Sequence, residues 1–162
     1  MFPEPQAQET SAQGRAANYA GRILESNVAM ILDERGYTPL KEQQALGSIT
    51  PYYVAQDRRF QSIYNGHFLK VDFFVWHPTK YKDGLVIECK LQSTPGSVDE
   101  KYPFTLLSLK NTGCAAILIV EGDGPKKGAL EWISAQQQNN PWFRFYHGFH
   151  TFNRAVRKEG LL

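Results

Sequence analysis

One strand-like stretch of the sequence changes abruptly from apolar to polar, and this change constrains both the fold and the chemistry. Leu85–Ile87 is an apolar run typical of a strand buried on both faces, and Glu88, Lys90 and Gln92 follow at every second position. Because side chains alternate between the two faces of a strand, these three polar residues share one face. Polar residues that begin at one end of a buried strand mark the usual place for a functional site in such sheets.

A second strand-like segment, Lys70–Phe74, carries one carboxylate, Asp72, among apolar residues. The alternation of side chains predicts that Asp72 points opposite to Val71 and Phe73. If this segment pairs with Leu85–Gln92 as a hairpin, two carboxylates and one ammonium group meet at one end of a sheet. Such a cluster predicts a site for a divalent cation with a positioned water beside it. The alternative is a solvated strand face on which Asp72 pairs with a lysine of the neighbouring strand.

The rest of the chain predicts alternating helices and strands. Apolar periodicity, continuous apolar runs and turn residues give the following order: a helix over Arg15–Arg35, strands near Gln61–Tyr64, over Phe68–Trp76 and over Leu85–Gln92, a helix over Phe104–Lys110, a strand over Cys114–Val120, a helix over Gly128–Gln137, a strand over Trp142–Tyr146, and a helix over Phe152–Lys158 capped by Thr151. A crossover from one strand through a helix to the next requires at least one parallel pair. We therefore predict an α/β fold with a mixed central β-sheet flanked by helices on both faces.

Two local signals refine this outline. Asn65-Gly66 is typical of a tight hairpin turn. Ser97 and Glu100 fit a capping box, but Pro103 would then lie inside the helix, where it breaks hydrogen bonding. We therefore predict a single turn before Pro103, which opens the following helix from its first position.

Length and composition narrow the class of protein. The 162 residues suit one domain, with residues 1–14 predicted as a flexible N-terminal lead-in and residues 15–162 as a single domain. A formal net charge of +2 gives no overall electrostatic signature of a nucleic-acid partner, although it allows a local basic patch. Cys89 and Cys114 are predicted to be buried, reduced thiols, and the polar N-terminus has no secretion leader, so we expect a cytoplasmic protein. The longest apolar run, Cys114–Val120, is too short to span a bilayer.

Glu25 lies at the edge of the apolar stripe of the first predicted helix. It comes one turn before Val28 and two turns before Leu32, which belong to that stripe. A carboxylate close to a buried face is costly unless a partner compensates its charge. Two interpretations remain open: Glu25 contributes to a site, or its side chain swings out to solvent.

The spacing of the charged residues resembles a known signature. Asp72, fifteen intervening residues and then Glu88-Cys89-Lys90 resemble the motif of the PD-(D/E)XK nuclease superfamily, which has the restriction-endonuclease-like fold. The resemblance extends from residue 15 to about residue 142, because the helix before the motif and the helix and strand after it also follow the order of that fold. One position departs from the signature, since Val71 stands where the motif has proline.

The resemblance implies a set of metal ligands. Asp72 and Glu88 would bind Mg²⁺, for which Mn²⁺ would substitute, and the backbone carbonyl of Cys89 would supply a further oxygen. Glu25 matches the acidic residue that many members carry on the first helix, near a second metal ion or its water. Hard oxygen ligands of this kind suit Mg²⁺, which often binds one or two carboxylates together with substrate phosphate.

The resemblance also implies how the other polar residues act. Lys90 would orient or deprotonate the attacking water, and Gln92 would hold substrate or solvent nearby. A phosphodiester is anionic and repels hydroxide, so its hydrolysis needs charge neutralisation and an activated nucleophile, which a divalent ion supplies. A partly buried lysine is expected to have a lowered pKa and can then serve as a base or as a charge clamp. The expected catalytic residues are thus Asp72, Glu88, Lys90, Glu25 and Gln92.

The expected activity is Mg²⁺-dependent hydrolysis of DNA phosphodiester bonds that leaves a 5′-phosphate, carried out by a homodimer whose two sites cut the two strands. Restriction-like, homing-like and phage-type nucleases remain open, as does a Holliday-junction resolvase. A non-catalytic DNA-binding protein on the same fold is the alternative from another class. Lys70, Lys101, Arg58 and Arg59 are predicted to contact DNA, although charged residues in loops are often only solvated.

Overall fold

The computed structural model describes residues 7–96 and 98–162, with side chains from residue 14 onward. Within these residues the chain forms five α-helices and eight β-strands. The helices are α1 (Ala7–Glu34), α2 (Glu42–Ala45), α3 (Tyr102–Asn111), α4 (Lys127–Asn139) and α5 (Phe149–Glu159). The strands are β1 (Thr38–Pro39), β2 (Tyr52–Ala55), β3 (Arg59–Gln61), β4 (Phe68–Lys70), β5 (Phe73–His77), β6 (Tyr81–Leu91), β7 (Ala115–Glu121) and β8 (Phe143–His147).

The first helix is longer than the sequence predicts. α1 begins at Ala7, so residues 7–14, predicted as part of a flexible lead-in, are helical. Alanine, glutamine and glutamate in this segment have high helix propensity, which apolar periodicity does not register. The first six residues and Ser97 lie outside the described residues, and so does the capping box that Ser97 would form with Glu100.

A six-stranded mixed sheet forms the centre of the fold and confirms the predicted α/β class. Its strand order is β1-β2-β5-β6-β7-β8. β2, β5 and β6 are antiparallel neighbours, whereas β6, β7 and β8 run parallel, as does β1 with β2. The crossover through α3 explains why β6 and β7 are parallel. β6 is therefore central, with the antiparallel half of the sheet on one side and a parallel half on the other.

Helices cover both faces of this sheet, as predicted. On one face, Leu24 of α1 and Phe152 of α5 share a hydrophobic core with Ile87 of β6. On the other face, Leu109 of α3 shares a second core with Val86 of β6, and α4 packs there as well. Val86 and Ile87 are both fully buried, so this part of β6 lies between two cores. A strand buried on both faces reads as the continuous apolar run seen in the sequence.

The two-stranded hairpin β3–β4 stands apart from the main sheet. Its strands are antiparallel, with Arg59 opposite Lys70. The N–H of His67 donates to the carbonyl oxygen of Tyr64 at 3.2 Å, which closes a tight turn around Asn65-Gly66, as predicted. The left-handed φ of +78° at Gly66 explains why glycine is suited to this position.

The predicted strand Phe68–Trp76 is divided between two sheets. β4 belongs to the small hairpin, and β5 pairs with β6 in the main sheet. The chain bends between them, so Val71 packs in the core on the α3 face, whereas Phe73 packs in the core on the α1 face. The prediction that Asp72 points opposite to both neighbours is therefore wrong, because simple alternation ends where the chain leaves one strand for another. Asp72 lies at the bend itself.

The last helix begins earlier than predicted. α5 starts at Phe149 after Gly148, not at Phe152 after Thr151. Gly148 has a φ of +83°, which glycine adopts without strain, so the chain turns directly from β8 into the helix. The hydroxyl of Thr151 donates to the carbonyl oxygen of His147 at 2.7 Å and does not cap the helix.

The start of α3 is close to the prediction. A single 3₁₀ turn over Asp99–Lys101 precedes the helix, as predicted, but α3 begins at Tyr102, so Pro103 is its second residue and not its first. Proline is tolerated there because the first N–H groups of a helix have no intrahelical acceptor. Among the helices that the structure describes, none combines the length and the apolar character needed to cross a membrane.

Candidate active site

A notch in the main sheet exposes the polar end of β6. β5 pairs with β6 only as far as Phe73, which lies opposite Ile87. On the other side, β6 stays paired with β7 up to Leu91, opposite Glu121. Beyond Ile87, β6 therefore has a neighbouring strand on one side only, and the bend at Asp72 occupies the other. Backbone groups that would otherwise pair with β5 are directed into this notch.

Two carboxylates meet in the notch. Oδ2 of Asp72 accepts the N–H of Cys89 at 2.8 Å, and the N–H of Asp72 donates to Oε2 of Glu88 at 3.4 Å. Glu88 is only 7% exposed, although it is charged. These reciprocal contacts fix both side chains against the backbone. The predicted convergence of the two acids is confirmed, while their chemical roles stay predictions.

The positive charge around the notch does not fully neutralise the two carboxylates in it. Burial raises the pKa of both Asp72 and Glu88. The charge of Lys90 lowers both pKa values without cancelling this effect, and the charge of Asp72 adds to the rise at Glu88. Carboxylates that lose water without a full set of positive partners are stabilised by any cation that binds beside them. The notch therefore favours a cation.

Lys90 carries a positive charge beside these acids. Its Nζ donates to Oε1 of Glu88 at 2.5 Å. Burial lowers the pKa of Lys90, but the carboxylates of Glu88 and Asp72 outweigh burial, and the net shift is upward. The predicted lowering of this pKa is therefore wrong, because adjacent negative charge favours the ammonium form. In this arrangement Lys90 is a charged hydrogen-bond donor, which suits a charge clamp better than a base.

Glu25 reaches the same site from α1. Its carboxylate is half-buried, and Oε2 accepts a hydrogen bond from Nε2 of Gln56. Burial and the charge of Asp72 raise the pKa of Glu25, whereas the charge of Lys90 lowers it. Glu25 therefore lies within electrostatic reach of both residues. Of the two interpretations left open by the sequence, the structure favours the one in which Glu25 contributes to the site.

Gln56 is a residue of this site that the sequence does not reveal. Its N–H donates to the carbonyl oxygen of Asp72 at 2.9 Å, while its side chain holds Glu25. Its φ of +51° lies in the left-handed region, which is uncommon for a residue other than glycine. Backbone strain of this kind is concentrated at functional sites. The segment around Gln56 has mixed composition and no periodicity, so no sequence pattern singles it out.

Cys89 presents its backbone, not its thiol, to the notch. The N–H and C=O of one residue point to the same side of an extended strand, so the carbonyl oxygen of Cys89 is directed towards Asp72 as its N–H is. The side chain packs against the core on the α1 face. Burial, and then the charge of Asp72, raises the pKa of the thiol well above its ordinary value. The thiol therefore stays protonated, and the backbone oxygen remains the predicted ligand.

Gln92 is buried and held by its neighbours. It follows the end of β6 and is 2% exposed. Its Oε1 accepts the hydroxyl of Tyr102 at 2.6 Å, and its Nε2 donates to Oδ1 of Asp99 at 3.1 Å. Its backbone oxygen accepts the N–H of Gly124 at 2.9 Å. These contacts attach the loop after β6 to the sheet, so the structure gives Gln92 a positioning role instead of the predicted contact with substrate.

Arg58 is engaged inside the protein. Its guanidinium forms an ion pair with Glu42 and lies 4.8 Å from the ring centroid of Phe74. An arginine held by a carboxylate and an aromatic face is already paired. The structure therefore does not place Arg58 as a DNA contact, although the sequence predicts one.

The other three predicted DNA contacts are exposed. Arg59 and Lys70 lie directly opposite each other in the β3–β4 hairpin. The charge of Lys70 also lowers the pKa of Asp72, which puts this hairpin next to the notch. Lys101 is exposed on the 3₁₀ turn before α3 and lines a cavity that reaches Glu88. Lys70 and Lys101 thus lie near the acids, Arg59 lies opposite Lys70, and all three cations are available to an anionic partner.

The donor set of the notch fits a divalent cation that keeps other ligands of its own. Asp72 and Glu88 offer carboxylate oxygens, and Cys89 offers a backbone oxygen. Among the side chains that the structure describes (residues 14–96 and 98–162), no three of histidine, cysteine, aspartate or glutamate converge closely enough to form a complete metal centre. Mg²⁺ commonly binds one or two carboxylates and completes its shell with water and substrate phosphate. The residues present therefore fit such an ion, with Glu25 farther out.

The fold and the site together define a class of protein. A mixed sheet covered by helices on both faces carries the buried carboxylate of Glu88 and the lysine Lys90 at the polar end of its central strand, with the half-buried carboxylate of Asp72 beside them. This is the restriction-endonuclease-like arrangement predicted from the motif, and its chemistry suits hydrolysis of a phosphate ester.

The comparisons with known proteins identify the family. A family model of a PD-(D/E)XK nuclease superfamily domain matches residues 16–153 of the 162. The chain therefore belongs to the PD-(D/E)XK nuclease superfamily, whose members are generally hydrolytic nucleases and typically use divalent metal ions. Comparisons with curated proteins and with solved structures gave no match.

Proposed function

We propose that this protein is a Mg²⁺-dependent DNA endonuclease that hydrolyses phosphodiester bonds, with Mn²⁺ able to replace Mg²⁺. The observation that carries the proposal is the pair of acids in the notch. The carboxylate of Asp72 accepts the N–H of Cys89, and the N–H of Asp72 donates to the carboxylate of Glu88. Lys90 also donates to the carboxylate of Glu88. An ion pair between Lys90 and Glu88 that served only the fold would not need Asp72, a second, half-buried carboxylate whose pKa is raised by burial.

Each residue of the site has a definite task in this proposal. Asp72 and Glu88 hold the divalent ion, which neutralises charge and activates water when it is bound. Lys90 keeps its proton and donates it as a hydrogen bond to the negative charge that builds up on the phosphoryl oxygens. The side chain of Gln56 donates to Oε2 of Glu25. This hydrogen bond orients the carboxylate of Glu25 so that its other oxygen can accept a hydrogen bond from the attacking water.

The basic hairpin supports DNA as the substrate. Arg59 and Lys70 are directly opposite each other, and like charges in this position destabilise a strand pair. A phosphate placed between them would remove the repulsion and gain two charge-assisted contacts. The hairpin adjoins the notch, so these cations would grip the backbone of the strand that is cut.

A homodimer is the proposed assembly, because one chain of this size carries one site and cutting a duplex requires two. Two-fold symmetry would place the two sites on opposite strands. Restriction-like, homing-like and phage-type activities all fit this assembly. We also propose a cytoplasmic location, since Cys89 and Cys114 are both unpaired thiols.

Plasmid cleavage tests the proposed function. Supercoiled plasmid, linear phage DNA, a four-way junction and RNA are each incubated with the protein in Mg²⁺, Mn²⁺ or EDTA, and the product ends are mapped. The expected result is metal-dependent cleavage of DNA that leaves 5′-phosphates and is lost in Asp72→Ala. Asp83→Ala is the matched control, because Asp83 is an exposed carboxylate on the same strand as Glu88. Cleavage that persists in Asp72→Ala, or no cleavage of any substrate, would refute the proposal.

A further inference from the structure

A largely apolar cavity opens directly beside the catalytic acids. It has a volume of about 610 Å³ and lies between β4, β6 and α3. Glu88 and Lys90 form one end of it, and Leu69, Val98 and Phe104 contribute to its apolar walls. Hydrolysis of a phosphate ester at the notch does not by itself require an apolar cavity at this place. A cavity that shares two walls with the reacting centre is instead suited to a part of the substrate next to the reacting phosphate.

Phe104, which lines this cavity, stacks on a second aromatic ring. The rings of Tyr64, in the turn of the β3–β4 hairpin, and Phe104, in α3, are stacked with centroids 5.8 Å apart and an interplanar angle of 24°. Both side chains are exposed, Tyr64 by 60% and Phe104 by 41%. Exposed, nearly parallel rings contributed by two separate elements form a surface on which another flat ring can stack.

A buried hydroxyl in the cavity has no partner among the residues that the structure describes. Ser108 of α3 lines the cavity and is 3% exposed, and its Oγ makes no hydrogen bond to any of these residues. Serine within a helix usually satisfies its hydroxyl by donating to the carbonyl oxygen four residues earlier. A buried polar atom without a partner is costly, so such atoms in proteins usually have a reason. A ligand with a polar edge that enters the cavity would supply the missing partner.

We propose that this cavity takes an unpaired nucleobase of the strand that is cut, from a nucleotide next to the reacting phosphate. The inference rests on the proposed nuclease function. A nucleobase has two apolar faces and a polar edge, which match the apolar walls, the Tyr64–Phe104 pair and the hydroxyl of Ser108. Its phosphates would lie near Lys90 and Lys101, which also line the cavity.

This assignment specifies the class of substrate. A base in a duplex is stacked and paired, and entering a pocket requires it to leave the stack, which costs least where it is already unpaired. The assignment therefore predicts tighter binding to single strands, frayed ends or branch points than to continuous duplex, in which the base must first leave the stack before the strand is cut. The shared element in these substrates is an unpaired nucleotide beside the cleavage position.

Binding of short DNA strands containing 2-aminopurine tests the assignment. Binding is measured in Ca²⁺ to suppress cleavage, with wild type, Phe104→Ala and Ser108→Ala. Leu107→Ala is the matched control, because Leu107 is exposed on the same helix and does not line the cavity. Phe104→Ala is expected to weaken binding of single-stranded DNA about 5- to 150-fold, which corresponds to the loss found when a base-stacking aromatic is removed. Leu107→Ala is expected to bind as wild type does, and 2-aminopurine fluorescence is expected to be quenched by wild type and by Leu107→Ala but not by Phe104→Ala.

A change in the substrate provides a second, independent measurement. An abasic nucleotide in place of the central nucleotide of a short single strand is expected to weaken binding by wild type to the same extent, and to have no further effect on Phe104→Ala. The comparison of intact and abasic strands with wild type needs no variant, so it remains decisive if Phe104→Ala does not fold. A single strand, a frayed duplex and a three-way branch, each compared with blunt duplex, show which source of unpaired nucleotide is preferred.

The two proposals fail in different ways. If wild type cleaves DNA in a metal-dependent manner but binds abasic and intact strands equally, the pocket assignment is overturned and the nuclease function stands. If no substrate is cleaved yet the abasic strand binds more weakly, the base pocket stands and the catalytic proposal is lost. Equal affinity of Phe104→Ala and wild type for single-stranded DNA would also overturn the pocket assignment.

Discussion

Replacing Asp72 by asparagine is expected to stabilise the protein in the absence of divalent ions while abolishing its activity. The side chain keeps its shape and an oxygen that can accept the N–H of Cys89. It loses the charge whose burial raises its own pKa and that raises the pKa of both Glu25 and Glu88. The raised pKa means that ionised Asp72 destabilises the folded state, so removing its charge increases the free energy of unfolding.

The expected size of this gain depends on what opposes the buried charge. Two like charges about 4–8 Å apart repel each other by about 2–4 kcal/mol at an effective dielectric constant of about 20. The ammonium group of Lys90 offsets this repulsion, so burial of the charge is the larger part of the effect. We therefore expect Asp72→Asn to gain about 1–2 kcal/mol, which raises the Tm of a domain of this size by about 2–8 °C.

The gain is expected to depend on pH. A carboxyl group whose pKa is raised on folding destabilises the fold only when it is ionised. Below about pH 4, the ordinary carboxyl pKa, Asp72 is protonated in both states and wild type loses no stability to it. As the pH rises through the raised pKa of Asp72, wild type becomes less stable than the variant. The difference in the free energy of unfolding between variant and wild type thus opens above about pH 4 and is complete once the pH lies above the raised pKa of Asp72.

Thermal and urea unfolding in EDTA, measured from pH 4 to pH 8, check this prediction. Asp83→Asn serves as the control, because Asp83 is an exposed carboxylate on β6. Added Mg²⁺ is expected to stabilise wild type and the control but not Asp72→Asn, since only a folded site with both acids binds the ion. The reasoning is refuted if Asp72→Asn is less stable than wild type at pH 8, or if the gap is as large at pH 4.

Three further changes have expected outcomes. Lys90→Met is expected to lower the rate of cleavage about 100- to 1000-fold while DNA binding in Ca²⁺ stays within about twofold, because the charge acts on the transition state; a rate close to wild type would contradict the charge clamp. The double variant Arg59→Gln and Lys70→Gln is expected to bind duplex more weakly, with a salt dependence of log K reduced by about 2, measured by fluorescence anisotropy; an unchanged slope would show that the hairpin does not contact phosphate. Gly84→Ala is expected to cost about 2–4 kcal/mol in urea unfolding, since φ is +91° and the new Cβ would overlap an aromatic ring of β5. Gly128→Ala, where a Cβ meets nothing within 4 Å, is its control and is expected to be neutral or slightly stabilising.

Much of the fold follows from local patterns that act over a few residues. Continuous apolar runs predict the central strands, and β6 and β7 occur where Leu85–Gln92 and Cys114–Val120 indicate them. The crossover rule then predicts their parallel pairing. The bend at Asp72 could not be predicted in this way, because Phe68–Trp76 alternates well enough to be one strand. Pairing with two different sheets decides where such a segment breaks.

Some features of the candidate site could also be predicted from the sequence, and others could not. The spacing of Asp72, Glu88 and Lys90 suffices to predict that they meet, because a hairpin and the alternation along β6 bring them together. The partners of Gln92 and Arg58 were not predictable, since Tyr102 and Glu42 come from elements whose positions depend on packing. The same holds for the direction of the pKa shift at Lys90, which depends on how closely two carboxylates approach it.

The sequence by itself determined the family motif, the order of the elements and the residue types at the polar end of the central strand, because these depend on neighbouring residues and on strand periodicity. Only the tertiary structure decided that Gln56 joins Glu25 to the bend at Asp72, and that α3 and the small hairpin enclose a cavity beside Lys90. Such contacts join segments far apart in the chain, and their geometry results from how the helices and the hairpin pack on the sheet.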